Sequence, residues 1–281
     1  MKLFLHCALL CFWSVLASTK HEPIYRSNAS LYRPYIDRVT GRVVFGTLQG
    51  GCSVISTGND AGVHLTQSAE NSYGSITARK PISGSNWKLD VHATVKKGAK
   101  GMGIWVMKDF EGGSLFGGNE QFNGILVFLA LQKNSLTDIY PSIGVATGYG
   151  NAPVVHFQKK IKMVDDIMIS LRLVDSTLSV FYGGRNLKVE LIDEMHRISI
   201  DDNSFVSISG QVLTENGDIN IKTASFFKMH IPKRRGFQED EIPKTKSKTT
   251  WLLLGALCLA VLCYLYTQRS AKPKHKGILQ K

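Results

Sequence analysis

Apolar and polar residues alternate with a period of two through much of this 281-residue chain. Trp87, Leu89, Val91, Ala93 and Val95 alternate with Lys88, Asp90, His92 and Thr94, which predicts a strand with its apolar set on one face and its polar set in water. Ile167, Ile169, Leu171 and Leu173 repeat the pattern. Asp175-Ser176-Thr177 predicts a turn into Leu178, Val180 and Tyr182. Gly183-Gly184 then leads to Leu187, Val189 and Leu191 facing inward, with Lys188 and Glu190 outward, so the three segments predict an antiparallel meander. Residues 125–131 are apolar throughout and predict a strand covered on both faces. Residues 205–209, 219–221 and 226–229 supply three later strands. No stretch of this body carries a helical period or a repeat, so about 200 residues of short strands predict an all-β fold, one large sandwich.

The two ends break the pattern. Lys2, an apolar run over 3–16, and small residues at Val15 and Ala17 predict a signal peptide over 1–17, cleaved after Ala17. Residues 249–267 carry no charge and are rich in Leu. At about 1.5 Å per residue they reach roughly 28 Å, which predicts a transmembrane helix suited to a thin bilayer. Lys248, Arg269, Trp251, Tyr264 and Tyr266 stand as interfacial anchors. The predicted order is signal peptide 1–17, luminal domain 18–231, polar stem 232–248, span 249–267 and basic cytoplasmic tail 268–281, a type I membrane protein.

Net charge is +12, but its distribution argues against a nucleic-acid groove. Five of these charges belong to the tail and one to Lys2. Half of the remainder sits in the stem, where runs of Lys and Arg flank Glu239, Asp240 and Glu241, so the folded body carries only about +3. The stem is also too short and too poor in heptads for a coiled coil, so no strong oligomer is expected. Of five cysteines, Cys7 and Cys11 fall in the signal, and Cys258 and Cys263 in the span. Cys52 alone remains in the luminal body, which excludes an intradomain disulfide and reads as a small buried residue. Asn28-Ala29-Ser30 is the one glycosylation sequon.

Three central segments carry a resemblance: Gly101-Met102-Gly103-Ile104-Trp105, the glycine-rich run from 112 to 118, and Phe122-Asn123-Gly124-Ile125-Leu126-Val127-Phe128. With Gly74-Ser75 and Asn86-Trp87, and over about 44–229, the chain resembles the L-type (legume-like) lectins that sort glycoprotein cargo early in the secretory pathway. The short stem places it nearest their short-stemmed branch. The resemblance implies a concanavalin A-like, legume-lectin jelly-roll β-sandwich, here with one C-terminal transmembrane helix. It also implies localisation to the endoplasmic reticulum, the intermediate compartment and the Golgi, secretory glycoprotein or protein cargo, and a vesicle coat engaged by the tail.

In the family a calcium ion, held by carboxylates after the Asn-Gly strand, fixes a loop that presents an asparagine and an aspartate to mannose. Matched to those positions, this chain has Ala130, Lys133 and Ser135 at acid places and Lys100 at the aspartate, while Asn134 matches the sugar-contacting asparagine. Ca²⁺ wants six to eight oxygen ligands, and an ammonium can only donate hydrogen bonds. Calcium is therefore not expected as a cofactor, no metal ligands are assigned, and Asn134 is the one remaining candidate for sugar. As a single asparagine on a loop, it also reads as a turn residue. The family's histidine aligns near Pro153, and its late Gly-Gly-Leu loop near Val212 and Leu213.

Other chemistry is weak. Glu190-Leu191-Ile192-Asp193-Glu194 is similar to the paired acids of glycosidases that share this architecture, but Ile192 fills the place of their middle acid, so no enzyme is expected. His92, His156 and His196 lack metal-ligand spacing. The tail has Ile278 and Leu279 where the family's receptors carry basic retrieval residues, and this pair is a candidate apolar export signal. The expected function is that of a lectin-like cargo receptor in transport from endoplasmic reticulum to Golgi. The alternatives are a calcium-independent, protein-binding sorting adaptor and a structural surface protein that reuses the fold.

Overall fold

A computed structural model describes residues 22–25, 30–66, 69–82, 85–185, 187–201 and 203–230. The signal peptide with Ala17, the sequon Asn28, the stem, the span 249–267 and the tail with Ile278 and Leu279 lie outside them. Among the described residues no helix is long and apolar enough to cross a membrane. By its contacts the chain divides into a unit Met1–Pro232 and a unit Lys233–Lys281, and only the first contains described residues.

The described residues form sixteen strands and no helix, an all-β jelly-roll sandwich. One sheet runs β14 (Leu187–Met195), β13 (Thr177–Gly184), β12 (Asp166–Val174), β6 (Trp87–Val95), β16 (Ile219–His230), β4 (Gly62–His64) and β3 (Ser53–Ile55), with β1 (Glu22–Tyr25) also pairing along β16. The other runs β11 (Val154–Lys160), β10 (Ser142–Tyr149), β9 (Asn123–Ala130), β7 (Ala99–Met107), β15 (Phe205–Val212), β5 (Tyr73–Ala78) and β2 (Gly46–Gly50). A short β8 (Gly112–Leu115) bridges to Gly118.

The alternating strand is β6, whose apolar residues are buried at every second place. They meet the odd-numbered apolar residues of β12 and, from the facing sheet, Met102, Ile104 and Val106 of β7 with Ile125, Val127 and Leu129 of β9, in one continuous core. Each fully buried Val, Leu, Ile or Met side chain among them contributes about 1.5–3 kcal/mol. Asp175 and Ser176 both adopt positive φ (49° and 61°) while Val174 pairs with Thr177, the two-residue turn whose twist suits a hairpin. Asn86 braces that turn by accepting the Asp175 amide N–H at 2.8 Å.

Two expectations are corrected. Val189 and Leu191 do not face the core but are 39% and 46% exposed, because β14 is the outermost strand and its pairing with β13 shifts register twice, which takes it off the strict alternation. The segments 219–221 and 226–229 are not separate strands. A register shift between Ile221 and Thr223 lets β16 run on without interruption.

The central strands of the second sheet are buried on both faces. On the face turned from the main core, Trp105, Met107, Leu126, Phe128, Ala130 and Ala146 are covered by Leu115, Phe116 and Phe122. Phe116 stacks on Phe128 (5.5 Å between centroids) and Phe122 meets Trp105 edge-on (5.0 Å). Gly118 and Gly103 are required by this packing. A Cβ at Gly118 would stand 2.4 Å from Trp105 Cζ2, and one at Gly103 would stand 2.7 Å from Trp105 Nε1. Trp105 Nε1–H donates to Ser209 Oγ at 2.7 Å, and that hydroxyl donates to the Phe116 carbonyl at 2.6 Å, so one buried serine satisfies two groups. Ser209→Ala orphans both and should cost about 2–4 kcal/mol, with roughly 2–4 °C of melting temperature lost per kcal/mol. An unchanged melting temperature in S209A would refute this account of the second core.

Candidate functional site

Of the segments matched to the family's binding site, those around Lys100, Ala130 to Ser135 and Val212 converge at one end of the seven-stranded sheet. Gly101, near the start of β7, pairs with Ala130 at the end of β9, so Lys100 comes beside the loop that follows Ala130. The Lys100 carbonyl accepts the amides of Leu131 (3.0 Å) and Gln132 (3.2 Å), and the Gln132 side chain donates to Ala99 O at 3.4 Å. Lys100, Lys133, Asn134 and Ser135 thus share one rim, above a buried Ala130. Val212 reaches the same end, paired with Ala99.

Asn134 is the organiser of this loop. Its Oδ1 accepts the amides of Leu136 (2.8 Å) and Thr137 (3.1 Å), and its Nδ2 donates to Gln132 O (3.3 Å). That is an asparagine turn, with the side chain standing in for backbone partners. Further along, Gln158 Nε2 sits among Thr137 Oγ1, Ile139 O (2.9 Å) and Ser142 Oγ (2.6 Å), and Ser142 Oγ donates to Ile139 O at 2.6 Å. The loop over 131–142 is therefore closed by neutral hydrogen bonds.

Charges on this rim are paired with one another or turned to hydroxyls or a carbonyl. Lys133 meets Asp138 at 2.9 Å with both side chains well exposed. The hydrogen bond and charge of Asp138 raise the lysine's pKa. Lys100 Nζ lies 3.5 Å from Ser114 O, and Glu120 accepts the hydroxyls of Ser114 (3.1 Å) and Ser135 (3.0 Å) on one oxygen.

These residues do not fit a calcium ion. Ca²⁺ requires six to eight oxygens, several of them charged. Here Glu120 holds two hydroxyls, Asp138 is taken by a lysine, and the Asn134 oxygen already accepts two amides. Among the described residues no three His, Cys, Asp or Glu side chains are gathered as metal ligands.

Two participants were not anticipated from sequence. Glu120 follows the glycine-rich run, and a lone acid there is its one signal in the sequence. Gln158 carries no signal in the sequence, where the family's histidine aligns near Pro153 instead. That residue falls in the β10–β11 turn, at the end of the sheet remote from Ala130, since β10 starts beside Ala130 and ends beside Asn123. The site end of β11 is Gln158 to Lys160, which pairs with Gly144 to Ser142.

The remaining candidates are dispersed. His156 Nε2 lies 2.7 Å from Thr147 Oγ1, and His196 Nδ1 lies 3.2 Å from Thr177 Oγ1. His92 sits on the outward face of β6. Glu194 accepts the Ser179 hydroxyl at 2.6 Å while Glu190 is exposed on the edge strand. Cys52 is a free thiol whose Sγ lies 3.2 Å from both Gln49 O and Ser75 O, and burial pushes its pKa up to about 11.

A two-sheet jelly roll whose second core underlies a loop-built rim is the architecture of the legume-type lectins. Residues 22–233 match the model of the legume-like lectin family, and the chain belongs to that family. The Ca²⁺-bound exoplasmic/lumenal domain of VIP36 is similar in structure, with a TM-score of 0.64 at 18% identity over 74% of this chain and 93% of that one. The metal-free carbohydrate recognition domain of Emp46p gives 0.56 at 17% identity, over 72% and 97%. The legume lectin-like domain from Entamoeba histolytica gives 0.55 at 16%, over 66% and 90%. No curated protein sequence matches the chain.

Because the loop is closed without a cation, millimolar Ca²⁺ should leave the melting temperature of the full chain where a chelator leaves it. A ligand that binds only the folded state must raise it, so a calcium-dependent rise would overturn the misfit.

Proposed function

We propose that the chain is a lectin-like cargo receptor of the early secretory pathway that engages its cargo without calcium. The observation that carries this reading is the self-closed loop over 131–142, held by Asn134, Gln158 and Ser142, with carboxylates and lysines around it already satisfied. A binding rim of this kind is preorganised by hydrogen bonds, so its shape is independent of a divalent ion. Ile139 and Tyr140, 49% and 48% exposed on the same loop, offer apolar contact beside the Lys133–Asp138 pair.

Family membership supports the general kind. Among the similar structures, VIP36 has been determined with Ca²⁺ and Man3GlcNAc, and the Emp46p domain in potassium-bound form. In this chain Lys100 replaces a hydrogen-bond acceptor by a donor, so a mannose hydroxyl that must donate finds no partner there. Cargo recognition then rests on protein surfaces or on sugar held in another geometry, with Asn134 setting the loop. The reading takes the apolar run over 249–267 as a single span, the body as luminal in endoplasmic reticulum and Golgi membranes, and the basic tail as cytoplasmic. Ile278 and Leu279 are then the residues offered to a vesicle coat. No catalytic step is assigned, as Glu194 is bonded to Ser179 and Ile192 separates it from Glu190.

Full-length chain presented on a glycan array, with calcium and with chelator, tests the reading together with crosslinking of luminal partners in cells. The expected result is crosslinked cargo whose capture is the same under both conditions. High-mannose binding that appears only with calcium would overturn it.

A further inference from the structure

The turn over 58–61, which leads into β4, is held by side chains rather than by a strand partner. Three successive carbonyls each face a donor: Gly58 O faces Arg33 Nη2 (3.0 Å), Asn59 O faces Lys222 Nζ (2.9 Å) and Asp60 O faces Asn220 Nδ2 (2.8 Å), while the Tyr35 hydroxyl lies 3.4 Å from Ala61 O and nearer, at 3.0 Å, to Lys222 O. Asp60 O has a second neighbour, His64 Nε2, at 3.0 Å. The other ring nitrogen, Nδ1, lies 3.0 Å from Asp218 Oδ1, and Asp218 Oδ2 meets Lys96 Nζ at 3.2 Å.

Both nitrogens of a buried imidazole therefore face oxygens that can only accept. A neutral ring has one N–H and one lone pair, so it satisfies one of them and sets a lone pair against the other. The imidazolium satisfies both. The carboxylate is the stronger acceptor, so the neutral ring keeps the Asp218 bond and gives up Asp60.

We propose that His64 is a proton-operated latch, which in its charged form ties the 58–61 turn to Asp218 at the start of β16 and in its neutral form releases that turn. The charged and titratable groups around the ring are Asp218 before β16, Lys222 on β16, Lys96 after β6 and the Asp60 carboxyl on the turn; Ser53 and Thr66 are the neutral polar neighbours. The Asp218 hydrogen bond raises the ring's pKa above the ordinary 6.5 against the opposing effect of burial, with Asp60 O and the Asp218 charge adding to it and Lys222 opposing. Burial would raise the Asp218 carboxyl, but the hydrogen bonds and charges of His64 and Lys96 outweigh it and hold that pKa low. Asp218 thus stays ionised while His64 titrates. Since the native His64 pKa is raised, its contribution to stability is complete below pH 6.5 and is lost as pH climbs through the native midpoint.

Arg33, Lys222 and Asn220 hold the carbonyls of Gly58, Asn59 and Asp60 independently of the imidazole, so the turn is loosened and not unfolded. It borders a cleft of about 410 Å³ lined also by Ser53, Ile55 and Thr66, whose shape follows the latch.

The test is a histidine NMR titration of the full chain in detergent, with His64→Gln to assign the signal and Asp218→Asn to remove the carboxylate. A His64 midpoint above 6.5, moved by the same pH as the 59–61 amides and lowered in D218N, is the expected result. Melting temperatures across the same range should show the excess of wild type over H64Q shrinking as pH rises. A native midpoint at or below 6.5, or turn amides that do not move with it, would overturn the latch even where H64Q folds poorly, because that measurement is made on the native chain.

Discussion

The burial of Trp105 is the constraint on which the candidate site of this molecule depends. A sheet with its main core on one side leaves its other face open to water, and β7 and β9 carry large apolar side chains on both faces. Trp105 and Phe128 must be covered, and the glycine-rich segment over 112–118 can lie close enough only because Gly118 and Gly103 have no side chains to strike the indole. Ser209 fixes the arrangement by bonding the indole N–H and the Phe116 carbonyl together. Ser114 and Glu120, which meet Lys100 and Ser135 at the rim, are placed by that same covering segment. The rim is in this sense the upper margin of a second hydrophobic core.

What stands on the rim follows a different electrostatic logic from a metal site. A divalent ion fixes a loop by drawing carboxylates toward it, and it repels an ammonium. Here Lys133 has taken up Asp138, Lys100 lies near a carbonyl, and two of the loop's backbone donors are satisfied by Asn134. Neutral hydrogen bonds of this sort contribute about 1 kcal/mol each, but several acting on a short loop, with Gln158 reaching in from β11, fix it without a cation.

Much of this was legible in the chain. The two-residue alternation of Trp87 to Val95 gave the central strand directly, because a strand with one face in the core and one in water has no other way to be written. Asp175-Ser176 announced its turn through residue types that tolerate positive φ. Edge behaviour was not legible: Val189 and Leu191 have the apolar character of inward residues, and only the double register shift beside β13 turns them out. Nor was the long β16, since a register shift lets one strand pass through a break in the pattern. At the rim, the identities of Ala130, Lys133 and Ser135 were legible, whereas their spatial partners Asp138 and Glu120 were not.

The sequence by itself determined the all-β class and the faces of interior strands such as β6 and β12, because these depend on residue identity and local period. Tertiary structure decided which distant residues meet. Glu120 comes to Ser135, Gln158 to Thr137, and His64 to Asp218 across 154 positions of chain. Such contacts are fixed by strand order and register, and neither is written in any single segment.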